Sequence, residues 1–297
     1  MNKDYNLYKI FMHLYEEKSI SKVAKLLYVS QPAISYSLKE LETTMNTNLF
    51  IRNNKGIQPT KNADELYKYV KTAFNILNTG EKRISEYNTD YETIIKIGSP
   101  GHISSFCLCN IINEFNKKYK NVKFQIYSKP TSDLVKMFET RELDILLNVA
   151  PMNFNSESCK TIFLKELKNC FAYSKKIHND YYVNSVSDLN KYPLILPSID
   201  APAYADLTKY MLNRGVTLKS VVNSWTTESI IELTRQGLGI GYFFKDFISN
   251  MSDKDDFEII EFDNNLPSLR LAVVYNEELL TPIIEEFVEL IRNTYEV

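Results

Sequence analysis

The sequence predicts an α+β protein of several domains: a small helical head closed by a hairpin, one long connecting helix, and a two-lobed α/β body. Three observations carry that prediction. Two short helical patterns with a turn between them, then two extended pieces, occupy residues 19–60. A regular apolar repeat without proline runs from residue 62 to about 88. Beyond Tyr91 the pattern changes to strands alternating with helices, which folds as a largely parallel sheet covered by helices.

The head begins with a helix over residues 4–17, whose apolar side is Tyr5, Tyr8, Ile10, Phe11, Leu14 and Tyr15. A second helix over 19–27 carries Ile20, Val23, Ala24 and Leu27 at helical spacing behind Ser19, a suitable N-cap. A third starts at Ser30, with Pro32 in the first turn where a missing N–H costs nothing. Ile34, Leu38, Leu41 and Met45 follow in steps of four, three and four, one narrow stripe at about 100° per residue. The opposite face carries Pro32, Tyr36, Lys39 and Thr43, with Gln31 and Ser35 on its flank. None is acidic, and all but Pro32 carry groups that hydrogen-bond base edges or phosphates.

Asn53-Asn54-Lys55-Gly56 is a turn signal between extended pieces at 49–52 and 57–60, giving a small wing that carries Arg52 and Lys55. A helix-turn-helix followed by a basic wing is a DNA-reading module. The candidate DNA contacts are Ser30, Gln31, Pro32, Ser35, Tyr36, Lys39, Arg52 and Lys55. The bland reading of the same pattern is a helical hairpin with a solvated face.

The run SQPAISYSLKELE from Ser30 to Glu42, LFIR from Leu49 to Arg52, and Pro59-Thr60 closely resemble the N-terminal module of LysR-type transcriptional regulators. The resemblance extends in length and layout over the whole chain. It implies a DNA-binding regulator switched by a small molecule. It also implies a linker helix that joins the domains and dimerises, and an effector domain with the fold of periplasmic binding proteins. The sequence departs from the family at three points: Tyr36 stands where many members have Arg, Asn46 near a usual glycine, and Asp64 where a glycine is usual.

The linker repeat is Leu66, Val70, Ala73, Leu77, Gly80, Ile84, Tyr87 and Tyr91, alternating steps of four and three over more than three heptads. Such a seam predicts pairing with its copy in a second chain, with Leu66, Val70, Ala73, Leu77 and Ile84 as the dimerisation set and a homodimer or homotetramer as the assembly. The domains divide as 1–60, 61–90 and 91–297.

In the body, strands are expected at 94–98, 122–127, 143–149, 167–173, 194–196, 216–222, 240–244 and 269–275, with a further extended piece at 257–262. Helices are expected at 103–119, 131–141, 202–213, 227–236 and 280–294. The two strand–helix sets suggest two lobes facing a cleft. By the family resemblance, one lobe is 94–163 plus 269–297 and the other is 167–266. Ligands in open α/β sheets bind where strand C-termini meet helix N-termini. Four such junctions are rich in small polar residues: Ser99-Pro100-Gly101-His102, Pro130-Thr131-Ser132, Ser198, and Thr226-Thr227. Each offers hydroxyls and free N–H groups, which suits an anionic or polar effector. The resemblance points to Ser99, Thr131 and Ser132 as cleft-lining. His102 reads as a donor, a pH-sensitive contact, or an ordinary surface histidine.

The 297 residues are long enough for two domains, and their 44% hydrophobic and 24% charged content is that of a soluble globular protein. No apolar run reaches membrane-spanning length, and the charged N-terminus is not a signal peptide, so a cytoplasmic location without membrane contact is expected. The net charge is −2, but residues 1–60 hold eight basic against five acidic side chains. The basic excess lies where phosphate would be met, and it is small enough that affinity needs more than one head per complex. Double-stranded DNA and a small effector are therefore the expected partners, and contact with RNA polymerase is compatible. Cys107, Cys109, Cys159 and Cys170 fit no zinc spacing and read as reduced, mostly buried thiols, with a redox-responsive regulator as the alternative. The histidines His13, His102 and His178 have no metal-ligand spacing, so neither metal nor cofactor is expected. An enzyme is disfavoured by the lack of a GxSxG elbow, a P-loop and a GxGxxG. The glycines Gly237, Gly239 and Gly241 run from helix to strand, the wrong order for a dinucleotide site. A solute-binding protein on the same two-lobed fold does not account for the N-terminal head.

Overall fold

The computed structural model describes residues 4–53, 56–86, 93–152, 154, 158–178, 180–249, 251, 253–263 and 265–295. The chain divides into two compact units, Met1–Thr89 with Glu139–Glu142, and Asp90–Phe138 with Leu143–Val297.

In the first unit, α1 (Tyr5–Glu17) starts where the Asp4 carboxylate accepts the Asn6 N–H at 2.9 Å. Helix α2 (Ile20–Leu26) is capped by Ser19 and α3 (Gln31–Met45) by Ser30, whose hydroxyl accepts the Ala33 N–H at 3.3 Å. The turn between them bends at Tyr28, which adopts a left-handed φ of 55°. Helix α3 ends at Asn46, also left-handed at φ 51°, with its N–H bonded to the Glu42 and Thr43 carbonyls. Asparagine tolerates this conformation better than most residues, so the missing family glycine is replaced in kind. The wing is an antiparallel pair, β1 (Phe50–Asn53) and β2 (Gly56–Pro59), with Arg52 opposite Ile57. Thr60 then caps α4 (Lys61–Glu86) by accepting the Ala63 N–H at 3.3 Å.

The apolar stripes meet in one core in which Phe11, Leu14, Val23, Ile34 and Ala63 are fully buried. Each buried large side chain contributes about 1.5–3 kcal/mol. Helix α4 is fastened to α1 by polar contacts as well. The Tyr15 and Tyr67 rings stack at 3.9 Å, the Tyr15 hydroxyl donates to Asp64 at 2.8 Å, and Glu16 accepts from both Tyr67 and Lys71 at 2.7 Å. Asp64, unusual for the family, thus has a defined partner.

The second unit opens with β3 (Thr93–Gly98). A helical stretch follows: α5 (Gly101–Ile103), a π turn at Ser104–Leu108, and α6 (Cys109–Lys118). Then come β4 (Val122–Tyr127), α7 (Thr131–Glu139), β5 (Ile145–Ala150) and β6 (Cys159–Ser174). A 3-10 turn at Val186–Lys191 precedes β7 (Leu194–Pro197), α8 (Pro202–Leu212), β8 (Ser220–Ser224), α9 (Thr227–Arg235) and β9 (Ile240–Phe244). The short α10 (Lys245–Ser249), β10 (Phe257–Ile260), β11 (Ser268–Asn276) and α11 (Pro282–Tyr295) complete it.

The described strands of this unit form one sheet in the order β4-β3-β5-β11-β6-β9-β7-β8, with β10 on β6. Strand β6 is the hinge of that order. Up to Lys168 it pairs antiparallel with β11; from Asn169 it pairs with β9, and from Phe171 with β10. The parallel pairs β3–β4, β3–β5, β7–β8 and β7–β9 lie on either side.

Several expected elements differ. Residues 167–173 are the end of the 16-residue β6, not a separate strand. The strand expected at 216–222 lies at Ser220–Ser224, because the Val216 N–H bonds back to the Met211 carbonyl and its side chain is buried against α8. The helix over 103–119 contains the π turn and starts earlier, at Gly101.

Candidate functional site

In the head, the side chains singled out from the sequence point outward. Gln31, Pro32, Tyr36 and Lys39 are exposed, with Tyr36 71% accessible. Ile34, Leu38 and Leu41, on the other side of the same helix, are buried. Ser30 is already engaged as the α3 cap. A groove of about 790 Å³ between α3 and the wing is lined by Ser35, Tyr36, Lys39, Thr43 and Arg52, among others. The structure therefore brings Ser35, Tyr36, Lys39 and Arg52 to one surface. Gln31 and Pro32 lie at the end of α3 beyond that lining, and Lys55 lies outside the described residues.

Sequence reasoning missed Glu42, which belongs to the same groove. Its Oε1 accepts the N–H of Leu49 at 2.7 Å and of Phe50 at 3.1 Å, so α3 holds the residues that open the wing. The carboxylate's place near the end of α3, seven residues before Leu49, is a weak signal without the fold.

In the second unit, the four polar junctions are linked pairwise. The Ser99 N–H donates to the Tyr127 carbonyl at 2.9 Å, tying the ends of β3 and β4. The Ser198 N–H donates to the Ser224 carbonyl at 2.7 Å, tying those of β7 and β8. Asn148 on β5 donates from Nδ2 to the Thr131 hydroxyl at 2.9 Å. A side chain added at Gly101 would begin 3.3 Å from Oε1 of Glu228 and 3.4 Å from the Ser128 hydroxyl. The first junction is thus approached by α9 of the other strand–helix set.

The side chains differ in access. Ser99 is fully buried and Ser198 nearly so, whereas Ser132 and Thr226 are exposed, and Pro100, Gly101, Thr131 and Thr227 are half-buried. The Thr226 hydroxyl donates to Ser229 at 2.6 Å. His102 packs edge-on against Phe247 at 5.4 Å, and burial pushes its pKa down to about 4. A pKa that low favours the neutral ring near pH 7, as for a packed histidine. Glu228, which sequence reasoning also missed, puts an exposed carboxylate beside Gly101.

The seam divides in two. Val70 is buried in the head's own core and Leu66 packs against it. Ala73, Leu77 and Ile84 are exposed, Leu77 by 58% and Ile84 by 71%. Tyr87 and Tyr91 lie outside the described residues.

Two family models match the chain: "Bacterial regulatory helix-turn-helix protein, lysR family" over residues 5–64, and "LysR substrate binding domain" over residues 90–296. The chain belongs to the LysR family. Among curated relatives, the HTH-type transcriptional regulator YofA of Bacillus velezensis is 22% identical over 279 residues, 94% of each chain. The uncharacterized HTH-type transcriptional regulator YraN of Bacillus subtilis is 29% identical over 137 residues, 46% of each chain, so that match spans about half of the relative. Among solved structures, full-length CbnR complexed with its target DNA superposes with a TM-score of 0.71 at 15% identity, covering 98% of this chain and all of the other. That likeness is one of fold. As a LysR-type protein, the chain is a DNA-binding transcription regulator with an effector-binding domain.

Nothing among the described residues favours the redox reading of the cysteines. Cys107 and Cys170 are buried, and burial pushes both thiols up to about 12, so neither is a ready thiolate. Cys109 is exposed and Cys159 half-buried, so the thiols are less uniformly enclosed than expected. No described group of His, Cys, Asp and Glu could hold a metal ion, and no described helix is long and apolar enough to cross a membrane. The glycines at 239 and 241 have structural reasons. A side chain at Gly239 would begin 2.2 Å from the Pro193 carbonyl oxygen, and one at Gly241 2.2 Å from the Thr234 hydroxyl.

Proposed function

We propose that α3 and the wing read operator DNA, and that a small polar molecule bound at the strand–helix junctions of the body sets the regulatory state. The groove that gathers Ser35, Tyr36, Lys39 and Arg52 is the observation that carries the first part. Gln31 at the exposed start of α3 pairs with an adenine edge, Ser30 and Pro32 fix the helix start against the backbone, and Arg52 and Lys55 meet phosphate. The proposed division is a head at 1–60, a linker at 61–90 and an effector domain at 91–297, with lobes at 94–163 plus 269–297 and at 167–266.

The effector rests between the lobes against Ser99, Pro100, Gly101, His102, Thr131, Ser132, Ser198, Thr226 and Thr227. The hydrogen-bonded pairing of these junctions and the approach of Glu228 to Gly101 support this reading. The exposed linker positions Ala73, Leu77 and Ile84 pair two chains into a homodimer or homotetramer. Leu66 and Val70 anchor the linker to its own head. The protein works on chromosomal DNA in the cytoplasm and carries out no catalysis of its own. A mobility-shift assay on the DNA flanking its own gene tests the regulator reading: a specific, salt-sensitive complex supports it, and equal binding to random DNA contradicts it.

A further inference from the structure

A second cavity lies apart from the polar junctions, where β5, β6 and β11 meet α8. It has a volume of about 420 Å³, ordinary for a small-ligand site, and shares no lining residue with the four junctions. Ala150, Pro151, Met152 and Leu269 supply apolar wall. Two groups of opposite charge also line it: Arg270 from β11 and Asp206 from α8.

Neither charge is committed elsewhere. The Arg270 guanidinium lies 4.2 Å from the centre of the Phe163 ring, which holds its plane without neutralising it. Its cross-strand neighbour is Glu166, but that carboxylate takes the Ser268 hydroxyl and stands outside ion-pair distance of Arg270. Among the described residues, neither Arg270 nor Asp206 forms an ion pair. Among the described residues fourteen other pairs are seen, so charged side chains here generally find partners when geometry allows.

We propose that this cavity binds a small zwitterion, an α-amino acid with an apolar side chain. Its carboxylate meets the planar fork of Arg270, which suits two parallel hydrogen bonds. Its ammonium meets Asp206. Its side chain lies along Met152, Pro151 and Leu269. A simple anion leaves Asp206 unanswered and a simple amine leaves Arg270 unanswered, so the two unpaired charges select for a molecule carrying both. This inference adds to the effector reading by naming a ligand class, and it does not depend on DNA binding.

The test is calorimetric titration of the full chain, without DNA, with leucine, methionine and phenylalanine. Isocaproate and isoamylamine, which each keep one charge of leucine, serve as controls. At least one amino acid is expected to bind, with each control weaker by about tenfold or more. Arg270→Gln is expected to abolish the preference for leucine over isoamylamine, and Asp206→Asn the preference over isocaproate. Arg270 is exposed and Asp206 half-buried, so neither substitution disturbs the core. The proposal is overturned if no amino acid binds at millimolar concentration, if the controls bind as well as leucine, or if both variants bind leucine as the wild type does. A mobility shift that persists in any of these cases leaves the regulator reading standing.

Discussion

Oε1 of Glu42 accepts the backbone N–H of Leu49 at 2.7 Å, and thereby ties α3 to the wing that follows it. The same oxygen accepts from Phe50 at 3.1 Å. A wing of two four-residue strands is too small to hold its own position, so this carboxylate fixes where Arg52 stands. Glu42→Ala leaves two partly buried N–H groups without their acceptor and is expected to cost about 1–3 kcal/mol in stability. It is also expected to weaken DNA binding through the wing. In a double-mutant cycle, Glu42→Ala and Arg52→Ala should then be less than additive on operator affinity. Full additivity in anisotropy titrations would show that Glu42 acts on stability alone.

The linker offers a test in which two neighbouring positions should fail differently. Val70 is 6% exposed in the head's core, so Val70→Ala is expected to destabilise the chain by about 1–3 kcal/mol and leave its mass unchanged. Leu77 is 58% exposed, so Leu77→Glu is expected to leave the melting transition nearly intact. It would place like charges across a paired seam and reduce the protein to monomers. Sedimentation equilibrium distinguishes the two. A Leu77→Glu protein of wild-type mass would move the dimer contact to another surface.

That division also shows where the sequence was informative. The caps at Ser19 and Ser30, the wing strands and most strand–helix alternations were legible, because each is written in a few adjacent residues. The heptad seam could not reveal that Val70 belongs to the head's own core, because a core stripe and a dimer seam share nearly the same period. The long strand β6 was recognised only from residue 167, since Cys159-Lys160-Thr161 at its start carries little apolar signal. The Val186–Lys191 turn was missed although Ser185 and Asp188 form a capping box. Glu42 and Glu228 escaped notice because their roles depend on partners brought close by the fold. The same holds for the Arg270–Asp206 cavity, which four separate elements assemble.

His102 gives a pH prediction with a defined sign. Its pKa falls from 6.5 to about 4 in the folded protein because the ring is buried in neutral form among Phe244 and Phe247. Between these values the unfolded chain takes up a proton that the folded chain does not. The stability held by neutral His102 is therefore complete above pH 6.5 and declines as the pH falls toward 4. In urea melts across that window, His102→Phe should lose stability less steeply than wild type. Parallel slopes would mean that the folded protein protonates His102 as readily as the unfolded chain does.

Salt-dependent anisotropy on one operator fragment separates base reading by α3 from phosphate contact by the wing most directly. Wild type, Gln31→Ala and Arg52→Ala would each be titrated with the fragment and with a scrambled duplex between about 50 and 200 mM salt. Gln31→Ala is expected to lose about 1–3 kcal/mol on the operator alone, keeping its affinity for scrambled DNA and its salt slope. Arg52→Ala is expected to weaken both duplexes alike and to flatten the slope by about one unit. If Gln31→Ala weakened both duplexes equally, or Arg52→Ala left the slope unchanged, the assignment of base reading to α3 and phosphate contact to the wing would be wrong.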